Sequence, residues 1–495
     1  MTQKTFLTRL TDELRYSVDN LAETVGDLGT PTVRLGVTGL SRAGKTVFIT
    51  ALVHNLMHGG RLPMLEAAAQ GRIAGARLEP QPDDAVPRFD VEGHVDTLVR
   101  ERLWPQSTRQ IAELRLTIEF ESAHFLSRTL GRGRLNLDIV DYPGEWLLDL
   151  PLLTKDYRSF SAEALTRARD TTRATVAGPF LAELDGLDPQ AEADETRARR
   201  LAGRFTDYLR ACRADERAFS MLPPGRFLMP GDLEGSPALT FAPLDLDGTD
   251  APASPGSLAA MMERRYEAYK KHVVRPFFRD HFARLDRQIV LVDALNALNA
   301  GPAAVADLET ALTEILAAFR PGKVSRLFSI LTRRIDRILF AATKADHLHR
   351  ADHDRLEAIL RRLVARAIDR AEYGGAEVDV LALAAIRATR EATLTHDGED
   401  VPAILGTPLP GERVNGDVYD GATEIALFPG DLPDDPDAVF SSDPGAGDGS
   451  GDGPGVRFVR FRPPALQKTA EGLTLSLPHI RLDRALHFLF GDHLA

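Results

Sequence analysis

Cysteine is nearly absent from this sequence, which contains one, Cys212, among 495 residues. A single cysteine cannot form a disulfide within the chain, and we therefore expect a reducing compartment. Apolar runs long enough to span a bilayer are also lacking, and the first residues have no signal-peptide core. We therefore expect a cytoplasmic protein with at most peripheral contact to the inner face of the membrane.

Basic residues are outnumbered by acidic ones, 60 against 72, which gives a formal net charge of −12. This balance argues against a general nucleic-acid binder, and no nucleic-acid partner is expected. The chain is longer than one ordinary domain. We therefore expect several domains, or one domain with a large insertion.

A complete GxxxxGK[ST] loop covers residues 39–46, between a β-like stretch, Thr32–Thr38, and an apolar helical pattern that begins at Val47. A strand, a glycine loop and a helix in this order bind a nucleoside polyphosphate, because backbone N–H groups can surround the phosphates. Lys45 is predicted to reach the β- and γ-phosphates, and the Thr46 hydroxyl to ligate Mg²⁺. The predicted nucleotide-binding residues here are Gly39, Ser41, Arg42, Ala43, Gly44, Lys45, Thr46 and Val47.

A DxxG motif, Asp141 to Gly144, ends the second strand of an apparent hairpin formed by residues 113–120 and 134–140. In nucleotide switches an aspartate at this point holds the Mg²⁺ shell, and the glycine N–H senses the γ-phosphate. The metal site is predicted to combine Asp141 with Thr46 and Thr108, with Ser107 as the alternative to Thr108.

Glu145 follows the DxxG motif and has three open interpretations: a general base, a group that orients water, or a surface acid. A carboxylate can accept a proton from water but is repelled by a triphosphate. The predicted catalytic residues are Lys45, Gly144 and Glu145. Arg42 and Arg109 are the candidates for a charge-stabilising arginine within the chain.

Residues Thr343 to Asp346 follow a later apolar strand pattern that ends at Ala342. They approximate the NKxD motif that selects guanine. Asp346 could accept hydrogen bonds from guanine N1–H and its amino group, a donor pair that adenine lacks. Thr343 replaces the usual asparagine and can make only part of its hydrogen bonds. The predicted base-side residues are Thr343, Lys344, Asp346 and His347, with Ala385, Ile386 and Arg387 in the loop after the last strand.

The order of patterns predicts an α/β fold with a mainly parallel sheet, one antiparallel strand, and helices on both faces. The predicted divisions are an amphipathic helix over 1–30, the first part of the core over 31–150, a helical insertion over 151–286, the second part of the core over 287–390, and an irregular C-terminal region over 391–495 with a mobile Asp/Gly/Pro-rich loop at 431–455.

The motifs at Gly39–Thr46, Asp141–Trp146 and Phe340–His347 resemble the P-loop GTPase superfamily. Together with residues 104–120 and 292–301 they more narrowly resemble its YcjX-like family. The resemblance implies a Ras-like P-loop core with a helical insertion, a nucleotide-dependent conformational cycle, and a role linked to stress responses.

The predicted function is therefore a Mg²⁺-dependent switch that binds GTP and GDP and hydrolyses GTP slowly. An unknown protein effector or self-association would accelerate turnover. Two alternatives remain open at this stage: an ATPase or nucleotide kinase that uses the same loop, and a scaffold that binds nucleotide without useful turnover.

Overall fold

The computed structural model describes residues 30–40, 42–123, 133–246, 253–317, 335–396, 399–414, 417–441, 458–466 and 476–495. Apart from Thr30, the N-terminal helix predicted over residues 1–30 lies outside this part of the chain. Ser41 also lies outside it.

Seven strands form one sheet in the order β2-β3-β4-β1-β5-β6-β7. Only β3 runs against the others, because it pairs antiparallel with both β2 and β4 while the remaining pairs are parallel. This arrangement confirms the predicted mainly parallel sheet with one antiparallel strand. The strands are β1 (Thr32–Gly39), β2 (Ile73–Glu79), β3 (Ala112–Phe120), β4 (Gly133–Asp141), β5 (Arg287–Val292), β6 (Arg337–Ala342) and β7 (Glu377–Ala382).

Helices cover both faces of this sheet, which explains why β5 is apolar from Ile289 to Val292 and β6 from Ile338 to Ala342. Alternate residues of β5 enter separate cores: Ile289 and Leu291 face one side, and Val290 and Val292 face the other. The flanking helices are α1 (Lys45–Met57), α2 (Glu66–Ala69), α3 (Val91–Asp96), α10 (Ala294–Ala300), α11 (Pro302–Ala317), α12 (His353–Leu363), α13 (Ala365–Tyr373) and α14 (Leu482–Phe490).

The helical insertion packs its own core, rich in aromatic side chains, against the segment that follows β4. That segment, Gly144–Thr154, is a run of 3₁₀ helix. The insertion contains α4 (Tyr157–Arg169), α5 (Ala174–Leu184), α6 (Glu195–Ala214), α7 (Gly225–Leu228), α8 (Leu258–Tyr269) and α9 (Arg275–Asp280), with 3₁₀ turns at Gly231–Leu233, Pro237–Leu239 and Phe282–Arg284 and a π-helical turn at Lys270–Val274.

Strand β2 was not expected, since residues 70–88 look like a polar connection containing proline. As an edge strand it leaves most of its residues partly exposed, so its sequence lacks the apolar run of the central strands.

The C-terminal region is more regular than predicted. It contains β8 (Arg390–His396), β9 (Glu399–Gly406), β10 (Arg413–Val414), β11 (Asp417–Val418) and β12 (Ile425–Leu427), and its last helix, α14, packs on the central sheet. Within the predicted mobile loop at 431–455, Pro436–Phe440 forms a 3₁₀ turn whose Val439 is buried with Leu432 against the helices of the core. Residues 442–455 lie outside the described residues.

Further short turns complete the chain as the structure describes it: Thr97–Glu101 is π-helical, and Ala345–His347, Arg350–Asp352 and Gly491–Leu494 are 3₁₀. Of the helices described, none combines the length and the apolar character required to cross a bilayer.

Candidate nucleotide-binding site

A cavity of about 340 Å³ lies at the carboxyl edge of the sheet, where β1, β5, β6 and β7 end. Parallel strands bring their following loops to one edge, and ligands of open α/β sheets bind there. The predicted residues that line this cavity are Arg42, Gly44, Lys45, Thr46, Val47, Ser107, Thr108, Gly144, Glu145, Thr343, Lys344, Asp346, His347, Ala385 and Ile386.

Three predicted residues do not line the cavity but adjoin residues that do: Gly39 accepts from Lys45, Asp141 accepts from Thr108, and Ala43 lies between Arg42 and Gly44 in the chain. Arg387 is not brought to the cavity. Its backbone N–H donates to Pro478 O and its Nε donates to Thr389 O at 2.9 Å.

The phosphate loop, residues 39–46, turns into α1 at Gly44, whose φ of 87° is in the left-handed region. Lys45 is buried, and its Nζ donates to Gly39 O at 2.9 Å and to Leu40 O at 3.3 Å. Burial lowers the pKa of Lys45, while the charges of Asp141 and Glu145 raise it. The lysine ammonium is therefore held at the mouth of the loop by carbonyl oxygens that an anionic phosphate can replace.

Three oxygen-bearing side chains meet beside the loop. Thr46 Oγ1 lies 3.2 Å from Thr108 Oγ1, and Thr108 Oγ1 donates to Asp141 Oδ2. Burial raises the pKa of Asp141 to about 6, against the opposing effects of Lys45 and Thr108. Asp141 Oδ1 is buried and has no hydrogen-bond donor among the described residues.

These oxygens fit Mg²⁺, which prefers hard oxygen ligands and usually completes its shell with water and substrate phosphates. Bound Mg²⁺ would give Asp141 Oδ1, which has no hydrogen-bond donor among the described residues, a charged partner. Among the described residues no group of three or more His, Cys, Asp or Glu side chains could hold a metal. A site with a single carboxylate therefore depends on oxygens from the bound ligand.

The base side of the cavity is built around Asp346, which is buried. Its Oδ2 accepts the N–H of Ala388 at 2.7 Å, and its backbone oxygen accepts the Thr389 hydroxyl. Lys344, with a φ of 62°, forms an ion pair with Asp293. The Ala388 and Thr389 contacts join the loops after β6 and β7, and the Lys344–Asp293 ion pair joins the loop after β6 to the end of β5, so the carboxylate is held in a fixed position.

A C-terminal strap, residues 458–463, closes this side of the cavity and was not predicted. Arg460 and Phe461 line the cavity together with Leu409, whose N–H donates to Arg460 O at 2.7 Å. Trp104 Nε1 donates to Phe461 O at 2.7 Å. The strap follows the loop predicted to be mobile, and no motif in the sequence links it to the site.

Comparison with known proteins agrees with this geometry. A model of the YcjX-like family, DUF463, matches residues 33–494. The chain belongs to the YcjX-like family. The resemblance predicted from the motifs is therefore confirmed, and it extends through the C-terminal region.

Two curated relatives match nearly the whole of this YcjX-like chain. A protein of Escherichia coli strain K12 named "Ras-like GTPase YcjX" is 39% identical over 473 residues, covering 93% of this chain and 96% of its own length. A protein of Shewanella oneidensis with the same name is 35% identical over 482 residues, covering 93% of this chain and 94% of its own. These relatives support a GTPase-like family, and the Ras-like P-loop core agrees with the observed fold.

The helical insertion of this YcjX-like chain also contributes to the site. Arg213, in the last turn of α6, lies 2.6 Å from Oε1 of Glu145. Neither the loop motifs nor the charge pattern identifies this arginine, since 68 positions separate it from Glu145 in the sequence.

Proposed function

We propose that this chain is a Mg²⁺-dependent molecular switch that binds GTP and GDP and hydrolyses GTP slowly. One observation carries the proposal: Asp346 lines the same cavity as Lys45 and Thr46. A carboxylate suited to guanine and a loop suited to phosphates thus share one cavity. The names of the two relatives support the same assignment.

In this proposal the chain contributes position and charge rather than covalent chemistry. Lys45 binds the β- and γ-phosphate oxygens, and the Gly144 N–H donates to the γ-phosphate. Thr46, Asp141 and Thr108 hold Mg²⁺, which supplies charge neutralisation at the phosphates when bound. Glu145 accepts a hydrogen bond from the attacking water.

A slow rate is proposed because, among the described residues, few cations line the γ-phosphate side of the cavity. Arg42 lines the cavity but is exposed, and Arg109 is not among the lining residues. An effector protein or self-association would raise the rate by supplying charge or order. The link to stress responses and a cytoplasmic location remain part of the proposal.

Calorimetry and phosphate release test this function directly. We expect GTP and GDP to bind at least about 100-fold more tightly than ATP, because adenine leaves the Asp346 carboxylate unmatched. Phosphate release from GTP should require Mg²⁺ and proceed at about 10⁻³ to 10⁻² per second. Lys45→Ala is the matched control and should show neither tight GTP binding nor phosphate release.

Two outcomes would contradict the proposal. Equal affinity for ATP and GTP would favour an ATPase or nucleotide kinase. Tight binding of GTP with no phosphate release above the Lys45→Ala background would favour a scaffold.

Trp104→Phe should accelerate the release of GDP. The substitution deletes the indole N–H that bonds Phe461 O, so the C-terminal strap is held less firmly over the base side. We expect release about five-fold faster, which corresponds to the loss of about 1 kcal/mol from one hydrogen bond. Dissociation of a fluorescent GDP analogue in stopped flow measures it.

Trp146→Phe is the matched control for this experiment. Its indole N–H donates to Met229 O at 2.8 Å, away from the base side, so the same chemical change is made elsewhere. Equal release rates for the two variants would mean that the C-terminal strap does not retain the nucleotide.

A further inference from the structure

The helical insertion reaches the cavity through a charged contact. A guanidinium nitrogen of Arg213 lies 2.6 Å from Glu145 Oε1, and the two side chains are 28% and 6% exposed. Glu145 lines the cavity with Lys45.

The backbone around Glu145 is held by the same insertion. Asp149, in the Gly144–Thr154 segment, accepts the N–H groups of Gly225 and Arg226 at 2.8 and 3.2 Å. The Arg226 guanidinium lies 3.2 Å from the ring centroid of Trp146. A Cβ on Gly225 would lie 1.6 Å from Glu145 O, so the two backbones are in direct contact. Helices α6 and α7 therefore hold both the main chain and the carboxylate of Glu145.

An isolated carboxylate at this position would oppose nucleotide binding, because it would repel the charged triphosphate. A guanidinium against the carboxylate offsets that repulsion and keeps the acceptor oxygens in place. The 2.6 Å contact has the distance of an ion pair but not the angle of a hydrogen bond, since Oε1 has no aligned donor among the described residues. That oxygen can still accept a hydrogen bond from water.

We propose that Arg213 is a positioning residue for hydrolysis: it neutralises and orients Glu145 so that this carboxylate can hold the attacking water beside the γ-phosphate. The inference rests on the proposed GTPase function and assigns a role in it to the helical insertion. In the reaction, the water oxygen bonds to the γ-phosphorus and the bond to the β–γ bridging oxygen breaks. GDP leaves with that electron pair, and the water protons remain with inorganic phosphate and solvent.

The test compares Arg213→Ala with Arg210→Ala under single-turnover and steady-state conditions. Arg210 is on the same helix, is 58% exposed, and lies 4.0 Å from Asp207, so it is a matched control. We expect Arg213→Ala to lower kcat about 100-fold while KM and GDP affinity change less than about three-fold, because the unpaired carboxylate acts mainly on the reacting water. Arg210→Ala should match the wild-type protein.

Two further variants separate positioning from a structural role. Arg213→Lys keeps the positive charge and should hydrolyse GTP about ten-fold faster than Arg213→Ala. Glu145→Gln combined with Arg213→Ala should hydrolyse GTP about ten-fold faster than Arg213→Ala alone, because a neutral amide needs no cation beside the triphosphate. Thermal unfolding with bound GDP identifies any variant that fails to fold.

The inference is overturned if folded Arg213→Ala hydrolyses GTP at the rate of Arg210→Ala, or if the double variant is no faster than Arg213→Ala. It is also overturned if Arg213→Ala does not fold and Arg213→Lys has the wild-type kcat. Each of these three results leaves the proposed function intact provided that wild-type phosphate release exceeds the Lys45→Ala background. A wild-type rate equal to that background overturns both.

Discussion

Asp346→Asn is expected to change the base that this protein prefers, from guanine to xanthine. The Asp346 carboxylate matches two donors on guanine, N1–H and the exocyclic amino group, whereas xanthine has a carbonyl in place of the amino group. An asparagine amide turns one acceptor into a donor, which suits that carbonyl. The other amide position can remain an oxygen that accepts the Ala388 N–H, as Asp346 Oδ2 does at 2.7 Å.

The expected effect is about 100-fold weaker binding of GTP and a comparable gain for xanthosine triphosphate, since a buried mismatched hydrogen bond costs about 1–3 kcal/mol. Competition against a fluorescent GDP analogue measures both affinities. Asp352→Asn is the matched control, because Asp352 is equally buried but bonds Arg355 and the Leu432 N–H outside the cavity. A base preference that is the same in both variants would contradict the role assigned to Asp346.

The parts of this site that were predictable are those whose chemistry is local in the sequence. The phosphate loop places Lys45 and Thr46 within one strand–loop–helix unit, and Asp346 follows a buried strand directly. Parallel strands then bring these loops to one edge without further information. The one antiparallel strand was predictable for a different reason. The sequence of β3 alternates strictly between apolar and polar residues, as in an antiparallel strand with one face buried.

The contacts that were not predictable join distant parts of the chain by packing. Trp104 bonds Phe461 across 357 positions, and Arg213 meets Glu145 only because α6 is folded against the Gly144–Thr154 segment. Phe461 and Arg213 belong to no motif in the sequence, so nothing in the order of residues connects them to the site. Arg387 shows the converse, since its place after the last strand suggests the base loop while its side chain turns to Thr389 O.

Gly144→Ala is expected to abolish most hydrolysis while nucleotide binding survives. A Cβ at this position would lie 2.1 Å from Gly39 O, 2.8 Å from Leu40 C and 2.9 Å from Lys45 Nζ. The first two are backbone atoms of the phosphate loop, which cannot move aside as a flexible side chain could. The Gly144–Thr154 segment must therefore withdraw, and it takes with it the N–H proposed to contact the γ-phosphate. We expect a rate at least about 100-fold lower, as for the loss of one preorganised donor.

Gly203→Ala provides the comparison, because it makes the same chemical change in α6 where a Cβ meets open space. That variant should hydrolyse GTP at the wild-type rate and gain up to about 1 kcal/mol of stability from the better helix former. GDP affinity by calorimetry should stay within about three-fold for both, since GDP lacks the phosphate that Gly144 is proposed to contact. Hydrolysis by Gly144→Ala at the rate of Gly203→Ala would show that close approach of this segment to the phosphate loop is not required for turnover. A parallel loss of GDP affinity in Gly144→Ala would instead mean that the added methyl group distorts the loop itself.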